Sequence, residues 1–380
     1  MIKFAVVAGA RPNFVKVAPL MEAFKKATDV HAILVHTGQH YDHLMSAAFF
    51  EDLEMPSPDI YLKAGSGTHA EQTAKVLLAF EDYITNHSVD CVIVVGDVNS
   101  TLACALAAAK CRIPVAHVEA GLRSFDRTMP EEVNRVLTDA LSDYLFTPSK
   151  DGDENLRREG TPSDRVFQVG NIMIDTLRRY EQAARARSLA ARHGLKAKEY
   201  TLCTLHRPSN VDNEETFRNI VAAIRRLSQK QPIVFPVHPR TRARISAFGL
   251  ESQVHDKQLV LLDPLGYLDF LSLLVDAALV ITDSGGIQEE TTVLGIPCLT
   301  LREGTERPVT VTVGTNRVVG TDTKRILEAA NRALAGDWVK GSIPDGWDGH
   351  TAGRIVNILV SRKLSLAERI SGSEMKMPVF

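Results

Sequence analysis

Short, continuously apolar runs alternate with helical segments along the whole chain, and this alternation constrains the fold more than any other feature. Runs such as Cys91–Val95 and Leu259–Leu262 are apolar at every position, which is typical of parallel strands buried on both faces. Between the runs, the segment 71–85 places Val76 and Phe80 on one helical face. Repeated strand–helix units predict an α/β fold with helices on both faces of parallel sheets.

The number of candidate strands favours two sheets. A chain of 380 residues is long enough for two domains, and about a dozen strands exceed one ordinary doubly wound sheet. The candidates are Lys3–Ala8, Ala32–Thr37, Cys91–Val95, Val115–Val118, Tyr144–Thr147, Arg165–Val169, Tyr200–Leu205, Ile233–Val237, Leu259–Leu262, Ala278–Thr282, Cys298–Leu301 and Arg317–Val319. We therefore expect two Rossmann-like parallel-sheet domains of about six strands each, facing a central cleft.

The break between the domains is expected at Gly170-Asn171, after the sixth candidate strand. This gives an N-terminal domain over residues 1–170 and a C-terminal domain over 171–362, with a helix and connector over 181–198. The tail 363–380 is expected to pack back on the first domain or to fray.

Composition narrows the classes of function. The formal net charge is -2, charged residues make up 24% of the chain, and no basic run stands out, so neither nucleic acid nor a membrane surface is an expected partner. No apolar stretch is long enough to cross a bilayer. The five cysteines are scattered in apolar segments without a CxxC motif, which indicates reduced core residues of a cytoplasmic protein.

Ligands of α/β proteins bind at the carboxyl ends of the strands, so the residues that follow strands are the candidates for chemistry. In VVAGARPN (6–13), Gly9 permits a tight turn before a helix, and Arg11 carries a planar group suited to phosphate. An ordinary turn with a surface arginine is an equally good interpretation. The motif is not GxGxxG, so a nicotinamide cofactor is not supported.

A second helix start follows the candidate strand that ends at Thr282. Ser284, Gly285 and Gly286 allow backbone N–H groups to approach an anion closely. Glu290 lies farther into the helix, where a carboxylate suits two neighbouring ribose hydroxyls. The two features together indicate a nucleoside diphosphate, although a glycine-rich helix start without a ligand has the same pattern.

Other polar residues follow strands as single candidates. Asp97 in VVGDVNST is either a helix cap or a cleft residue. His206 in TLHRPSN, beside Arg207, is either structural or catalytic. His238 in PVHPR and His40 in GQHYDH are weaker candidates of the same kind.

The histidines do not predict a metal site. His36 and His40 have HxxxH spacing, but they straddle a strand and the following loop, so they do not share a helical face. His117 lies inside an apolar strand, where a hydrogen-bonded core histidine is the better interpretation.

The stretch AHVEAGLRSFDRTMPEEVNR (116–135) is the most charged connection in the chain. Pro130 in the first turn of a helix, with acids beside it, explains Glu131 and Glu132 without any function. Glu119 follows the candidate strand Val115–Val118 directly and has no such explanation, so it is a candidate cleft carboxylate.

Eight motifs in one order give the chain a family resemblance. They are GARPN, GQH, GDVNST, HVEAGLRS, PEEVNR, LHRPSN, TDSGGIQEE and ERPVT, and they span Gly9–Thr310. Together they resemble the non-hydrolysing UDP-N-acetylglucosamine 2-epimerases. The resemblance implies a GT-B-type fold, a homodimer, and interconversion of UDP-GlcNAc and UDP-ManNAc without metal or nicotinamide.

The resemblance also implies roles for individual residues. Asp97, Glu119, Glu131 and His206 match the catalytic residues of the family. Residues that match the UDP contacts are Arg11, Ser284, Gly285, Gly286 and Glu290. Arg123 and Arg135 are expected to hold the carboxylates or the diphosphate, with Arg207, His40 and His238 as further candidates, and Glu132 is expected to be a solvated or salt-bridged neighbour.

The chemistry of the substrate agrees with this assignment. The C2 hydrogen of the sugar is not acidic, so inversion without a redox cofactor requires elimination of UDP to a 2-acetamidoglucal and re-addition. Three alternatives remain: an epimerase of a UDP-2,3-diacetamido sugar or its uronic acid, a GT-B UDP-sugar glycosyltransferase, and a nucleotide-sugar sensor without catalytic activity.

Overall fold

Thirteen strands lie in residues 1–38 and 50–362, the part of the chain that the computed structural model describes, and they form two separate parallel sheets. The strands of the first sheet are β1 (Ile2–Ala8), β2 (Val30–His36), β3 (Ile60–Tyr61), β4 (Cys91–Val95), β5 (Val115–Val118), β6 (Tyr144–Thr147) and β7 (Val166–Gln168). Those of the second are β8 (Thr201–Thr204), β9 (Ile233–Pro236), β10 (Leu259–Leu262), β11 (Leu279–Thr282), β12 (Cys298–Thr300) and β13 (Asn316–Val318).

Helices connect the strands in both halves of the chain. They span Arg11–Lys26, His69–Asn86, Asn99–Lys110, Pro130–Leu141, Lys150–Arg158, Ile172–Arg187, Leu189–Arg192, Pro208–Val211, Glu214–Ser228, Pro239–Ala247, Glu251–Val254, Tyr267–Val275, Gly285–Leu294, Val309–Thr312, Thr323–Leu334 and Thr351–Ser361. A short 3₁₀ helix covers Ser163–Arg165. None of these helices is sufficiently long and apolar to cross a membrane.

Strand order places a ligand crevice in each sheet. The first sheet has the order β3-β2-β1-β4-β5-β6-β7 and the second β10-β9-β8-β11-β12-β13. In each, the chain starts in the middle, builds one side, and then crosses to the other side next to the starting strand. The carboxyl ends of β1 and β4, and of β8 and β11, therefore flank the two points where α/β sheets bind ligands.

The predicted architecture of two parallel sheets is confirmed. Eight of the twelve predicted strands differ by one or two residues at one or both ends, and two differences are larger. β4, β5, β6 and β10 have the predicted bounds, because all their side chains are apolar or buried in the sheet. The first sheet has seven strands because β3, only two residues long and half exposed, pairs with β2 at its edge. The helix expected from residue 181 begins earlier, at Ile172.

The segment after the second sheet returns to the first. The indole Nε1 of Trp347 donates to the carbonyl of Pro148 at 2.8 Å. The helix Thr351–Ser361 then packs against the helices Arg11–Lys26 and Ile172–Arg187. Its first N–H groups, those of Thr351 and Ala352, donate to the buried carboxylate of Asp175. Both halves are thus joined by apolar packing around the helix Ile172–Arg187; the domain bounds at 170 and 362 stay predictions.

Candidate functional site

Asn13 shapes the loop at the first switch point. Its Oδ1 accepts from the backbone N–H groups of Gly9 and Ala10, both at 3.0 Å, and its Nδ2 donates to the carbonyl of Val95 at 3.0 Å. One buried amide thereby ties the loop after β1 to the end of β4. Arg11 is the first residue of the helix that follows. Its side chain is not among those that the structure describes.

Glu119 leaves β5 with an unusual backbone conformation. Its φ is +74°, and the N–H groups of Glu119 and Ala120 both donate to the carbonyl of Phe146 on β6 at 3.1 Å. A left-handed conformation costs a non-glycine residue about 1 kcal/mol or more and persists where the surroundings impose it. The turn directs a buried carboxylate away from the strand and toward the cleft.

The carboxylate of Glu119 is held from both halves of the protein. Lys16, on the first helix, forms an ion pair with Oε2, and Arg307, after β12, places Nη2 3.8 Å from Oε1. All three side chains are at least nine-tenths buried. The preceding loop leaves room for this only because residue 96 is a glycine: a Cβ there would lie 3.0 Å from Nζ of Lys16 and 3.3 Å from Oε2 of Glu119.

Asp97 lies at the end of β4 and is paired with Arg135 from the helix Pro130–Leu141. Burial raises the pKa of Asp97, but the charges of Arg135 and Lys16 outweigh it, so the net shift of the pKa is downward. Asn134 donates to the backbone carbonyl of Asp97 at 2.9 Å. Asp97 is therefore an ionised carboxylate in a fixed position near Lys16.

The adjacent residues Glu131 and Glu132 have opposite environments. Glu132 is buried and accepts from Ser124 N, Ser124 Oγ and Phe125 N at 2.9 Å, and from Arg135 at 2.8 Å. Glu132 was expected to be a solvated or salt-bridged neighbour; it is salt-bridged to Arg135 and is not solvated. Glu131 is half-buried and makes no hydrogen bond or ion pair with the described residues, so its carboxylate is available to a ligand.

His206 follows β8 and is oriented by Asp283, which follows β11. Nδ1 of His206 lies 2.8 Å from Oδ1 of Asp283, and the backbone N–H groups of His206 and Arg207 also donate to this carboxylate. Burial raises the pKa of Asp283, but the contact with His206 outweighs it and the pKa is lowered. The His206 ring remains 43% exposed, so the second switch point presents an oriented imidazole at the surface of the cleft.

Ser284, Gly285 and Gly286 form the turn into the helix Gly285–Leu294 at the same switch point. Ser284 donates its N–H to Thr282 Oγ1 at 3.0 Å. A Cβ on Gly285 would lie 2.4 Å from Nη1 of Arg307 and 2.9 Å from Oε1 of Glu306, so glycine is what allows these charged groups to reach the helix start. Free N–H groups beside a guanidinium make a favourable place for a diphosphate.

A buried ion cluster joins these elements. We define it as Lys16, Glu119, Glu289, Arg302, Glu306 and Arg307. Arg307 is its centre, because its guanidinium pairs with Glu119, with Glu289 at 2.8 Å and with Glu306. Arg302 pairs with Glu306 at 2.7 Å. Three carboxylates and three cations balance within a space from which water is largely excluded.

The cluster shifts the pKa values of its members in different directions. Burial and the charge of Glu119 raise the pKa of Glu289, which Arg307 only partly offsets. Burial alone would raise the pKa of Glu306, but the charges of Arg307 and Arg302 hold it well below the usual range. Glu306 is therefore an anion, whereas Glu289 gains a proton more readily than Glu306 does.

Glu290 does not join this cluster. It is buried and its Oε1 accepts from the hydroxyl of Tyr267 at 3.0 Å. Burial and the neighbouring Glu289 raise the pKa of Glu290 to about 7.

The remaining candidates have other contacts. Arg123 is buried against Asp139 and Glu159, with distances of 2.6–2.7 Å, and among the described residues it contacts neither Glu119 nor Glu131. Arg207 lies 3.7 Å from Glu306 at the edge of the ion cluster. The ring of His238 lies 6.0 Å from that of His206. His40 lies outside the described residues.

His117 has the predicted core role. Its Nδ1 lies 2.6 Å from Asp139 and its Nε2 lies 2.8 Å from the carbonyl of Gly96, with the ring fully buried. Within residues 1–38 and 50–362, no group of three or more His, Cys, Asp or Glu side chains is arranged to hold a metal ion.

Sequence reasoning missed most of the ion cluster. Glu306 and Arg307 belong to ERPVT, which was noticed as a motif but given no role, and Glu289 directly precedes Glu290. Lys16 carries no sequence signal, since a lysine in the second turn of a helix is ordinarily solvated. Asp283 had a usable signal: it follows a buried strand directly, as Asp97 does.

Known proteins resemble the chain over almost its full length. Residues 22–360 match the sequence profile of the family described as UDP-N-acetylglucosamine 2-epimerase. The UDP-N-acetylglucosamine 2-epimerase of Methanocaldococcus jannaschii is 43% identical over 370 residues, which cover 95% of this chain and all of that protein. A crystal structure of the Methanocaldococcus jannaschii enzyme in complex with UDP-GlcNAc and UDP has a TM-score of 0.87 at 42% identity, covering 95% of this chain and 100% of that one.

Two further proteins are informative. The UDP-2,3-diacetamido-2,3-dideoxy-D-glucuronate 2-epimerase of Pseudomonas aeruginosa is 42% identical over 337 residues, covering 88% of this chain and 92% of that protein. A sucrose-phosphate synthase from Thermosynechococcus elongatus has a TM-score of 0.59 at 15% identity, with 98% of each chain covered. The second likeness is one of fold alone, and it agrees with two Rossmann-like halves of the GT-B type.

Proposed function

The chain belongs to the non-hydrolysing UDP-N-acetylglucosamine 2-epimerase family, and on that premise we propose that it interconverts UDP-GlcNAc and UDP-ManNAc by inverting C2 of the sugar. Two relatives named UDP-N-acetylglucosamine 2-epimerase cover 95% and 96% of the chain. The candidate residues follow β4, β8 and β11, whose carboxyl ends flank the switch points, and β5, the neighbour of β4. A nucleotide sugar bound there would bridge the two halves.

The observation that carries the proposal is the environment of Glu119. The backbone of Glu119 is in a strained left-handed turn. Its carboxylate is buried and is held by Lys16 from one half and Arg307 from the other. Its Oε1 has no hydrogen-bond partner among the described residues. A buried acceptor that lacks a partner is costly to a fold, and such features concentrate at functional sites.

Elimination and re-addition account for the residue types. A base removes the C2 proton, the C–H electron pair forms the C1=C2 double bond, and the C1–O bond breaks with its electrons leaving on UDP. The proton then returns to the opposite face of C2, and UDP adds back at C1. Acid–base groups on two faces of the ring and cations at the leaving diphosphate are required, and a cleft between two domains limits the access of water.

The proposed roles follow from position. Asp97, Glu119 and Glu131 serve as the acid–base and charge-stabilising carboxylates of the sugar, and His206, oriented by Asp283, acts at the diphosphate. The helix start at Ser284, Gly285 and Gly286 contacts the diphosphate together with Arg11, while Glu290 accepts from the ribose hydroxyls. The cations Lys16 and Arg307 neutralise charge as UDP departs. These cations are paired with carboxylates, so an entering diphosphate competes for them.

Proton NMR in heavy water tests the proposal directly. The purified protein is incubated with UDP-GlcNAc and a chelator, without added cofactor. We expect UDP-ManNAc to form with deuterium at C2, because the C2 proton exchanges with solvent during the reaction. Release of UDP with a free sugar, or transfer only to an added acceptor, would contradict the proposal in favour of a hydrolase or a glycosyltransferase.

A second substrate has specific support. The relative from Pseudomonas aeruginosa, named for a 2,3-diacetamido glucuronate, is nearly as similar as the one named for UDP-GlcNAc. The same NMR experiment with UDP-2,3-diacetamido-2,3-dideoxy-D-glucuronate distinguishes the two by the ratio of kcat/KM values.

We also propose that the enzyme is a cytoplasmic homodimer that supplies sugar nucleotides for cell-surface polysaccharides, as the family resemblance implies. All five cysteines are free, which suits a reducing compartment. Light scattering coupled to size-exclusion chromatography tests the dimer; a mass near the 41.7 kDa of one chain would contradict it.

A further inference from the structure

Tyr267 and Glu290 form an isolated polar pair inside the second half of the protein. The hydroxyl of Tyr267 donates to Oε1 of Glu290 at 3.0 Å, and the two side chains belong to helices that follow β10 and β11. Both residues are buried, with 6% and 3% of their surfaces exposed. No other hydrogen bond or ion pair to Glu290 is present among the described residues, so the tyrosine hydroxyl alone fixes its carboxylate.

The position of Tyr267 is itself fixed by contacts with two residues, Tyr180 and Asp52. It is the first residue of the helix Tyr267–Val275, and its ring packs edge-on against Tyr180 of the helix that links the two halves, with centroids 6.5 Å apart. Asp52, from the first half, accepts from the N–H of Leu268 at 3.4 Å. A Cβ on Gly266 would lie 2.5 Å from Oδ2 of Asp52, so the chain before Tyr267 is packed closely against the first half.

The two carboxylate oxygens of Glu290 have different environments. Oε1 is bonded to Tyr267, whereas Oε2 has no partner within residues 1–38 and 50–362. A carboxylate attached to one rigid donor cannot rotate freely, and it presents its remaining acceptor sites in a fixed direction. Vicinal hydroxyls, which both donate, are the ligand groups that match two such acceptors.

We propose that Tyr267 is a positioning residue for ribose recognition, because its hydroxyl holds Glu290 in the orientation that accepts hydrogen bonds from the ribose diol of a uridine nucleotide. The inference rests on the proposed function, in which Glu290 is the ribose contact. Without the hydroxyl, the buried Oε1 would lose its donor, and the carboxylate would rotate toward another partner or take up a proton. Either change leaves the diol with one hydrogen-bond acceptor fewer on the protein, and the diphosphate contacts stay the same.

A comparison of UDP with 2′-deoxy-UDP isolates this effect. Calorimetric Kd values for both nucleotides are measured with wild type, Tyr267→Phe and Tyr180→Phe. The ratio of the two Kd values reports recognition of the 2′-hydroxyl alone. We expect wild type to prefer UDP by about tenfold, the usual effect of a hydrogen bond to a charged group, and we expect the preference to fall close to one in Tyr267→Phe.

Tyr180→Phe is the matched control. It removes a hydroxyl from the ring that packs on Tyr267, but that hydroxyl does not contact Glu290. The preference for UDP should remain at its wild-type value. If Tyr267 had a purely structural role, Tyr267→Phe would weaken the binding of both nucleotides equally and leave the ratio of their Kd values unchanged. That result would overturn the inference.

The other outcomes are equally decisive. Failure of the wild type to bind UDP would defeat the proposed function itself. A wild type that binds UDP and 2′-deoxy-UDP equally, or a Tyr267→Phe variant that keeps the full preference, would defeat only the role of Tyr267. Glu290→Gln replaces the acceptor of the same hydrogen bond. The pair of Tyr267 and Glu290 is therefore still tested if Tyr267→Phe does not fold. If Glu290→Gln keeps the wild-type ratio, Glu290 does not read the diol and the inference is overturned.

Discussion

Arg307 reaches across the cleft to Glu119, with Nη2 3.8 Å from Oε1. The two residues belong to different sheets, and each is buried with further partners on its own side: Lys16 for Glu119, and Glu289 and Glu306 for Arg307. This contact makes the state of a carboxylate in one half depend on the placement of the other half.

Replacement of Arg307 by Met should destabilise the protein and abolish turnover. Three buried carboxylates would lose their shared cation, and removal of one partner from a buried ion pair costs about 3–5 kcal/mol. Urea unfolding followed by circular dichroism measures the loss. Arg332→Met, which removes only an exposed pair with Asp337, should unfold at nearly the same urea concentration as wild type. Equal midpoints for the two variants would show that the ion cluster contributes nothing.

Glu119→Gln should lower turnover by at least about a hundredfold, the usual contribution of a general acid or base. The overall fold should be retained, because the amide has nearly the same size. Asp97→Asn and His206→Ala should behave similarly. Deuterium incorporation at C2 is the measurement, with Glu154→Gln, a largely exposed residue, as the control. Wild-type exchange in any of the three variants would remove that residue from the catalytic set.

The neighbours Glu131 and Glu132 should respond in opposite ways to the same change. Glu131→Gln should reduce turnover and leave the melting temperature unchanged, because Glu131 has no partner among the described residues. Glu132→Gln should lower the stability by about 1–3 kcal/mol, since a charged acceptor for Ser124, Phe125 and Arg135 is lost. Melting temperature and kcat are measured for both variants. The reverse pattern would make Glu132 the catalytic residue and Glu131 the stabilising one.

Glu290→Gln should change how stability depends on pH. Burial raises the pKa of Glu290 from 4.5 to about 7, so between these values the folded protein holds a proton that the unfolded chain releases. Wild-type stability from this group is therefore present at low pH and lost as pH rises through that window. Glutamine does not titrate, so the variant should gain roughly 2–3 kcal/mol relative to wild type between pH 5 and pH 8.

Urea unfolding at several pH values measures this difference. The exposed Glu328→Gln serves as the control and should show no such trend. A constant difference between Glu290→Gln and wild type across this range would show that Glu290 is ionised normally in the folded protein.

Gly285→Ala should weaken the binding of UDP by about tenfold or more, because the added Cβ would displace Arg307 and Glu306 from the helix start. Gly353→Ala is the matched change in another helix, where a Cβ meets nothing within 4 Å. It should leave binding intact and stabilise the helix by up to about 1 kcal/mol. Calorimetry with UDP separates the two, and equal affinities would contradict a tight fit at Gly285.

The succession of strands and helices along the chain, and the positions of several polar residues at strand ends, followed from local sequence. β4 and β5 have the predicted bounds because a run of apolar side chains is buried wherever it pairs. Pro130 marks the start of its helix as predicted, since proline fits the first turn. β3 was missed because two residues carry no periodic pattern. Its existence depends on pairing with β2 and not on its own sequence.

Local sequence indicates which carboxylates stand at the ends of strands and which of them lack a local explanation, because strand ends and helix starts are properties of short segments. The partners of these carboxylates depend on the tertiary structure. In the sequence, Lys16 is an ordinary helical lysine, Arg307 a loop arginine and Tyr267 a tyrosine in an apolar segment. Arg307 meets Glu119 only when the two halves come together, and Tyr267 meets Glu290 only when two helices of the second half pack side by side. Ion pairs and hydrogen bonds depend on distances of a few ångströms between segments far apart in the chain, and no local periodicity encodes those distances.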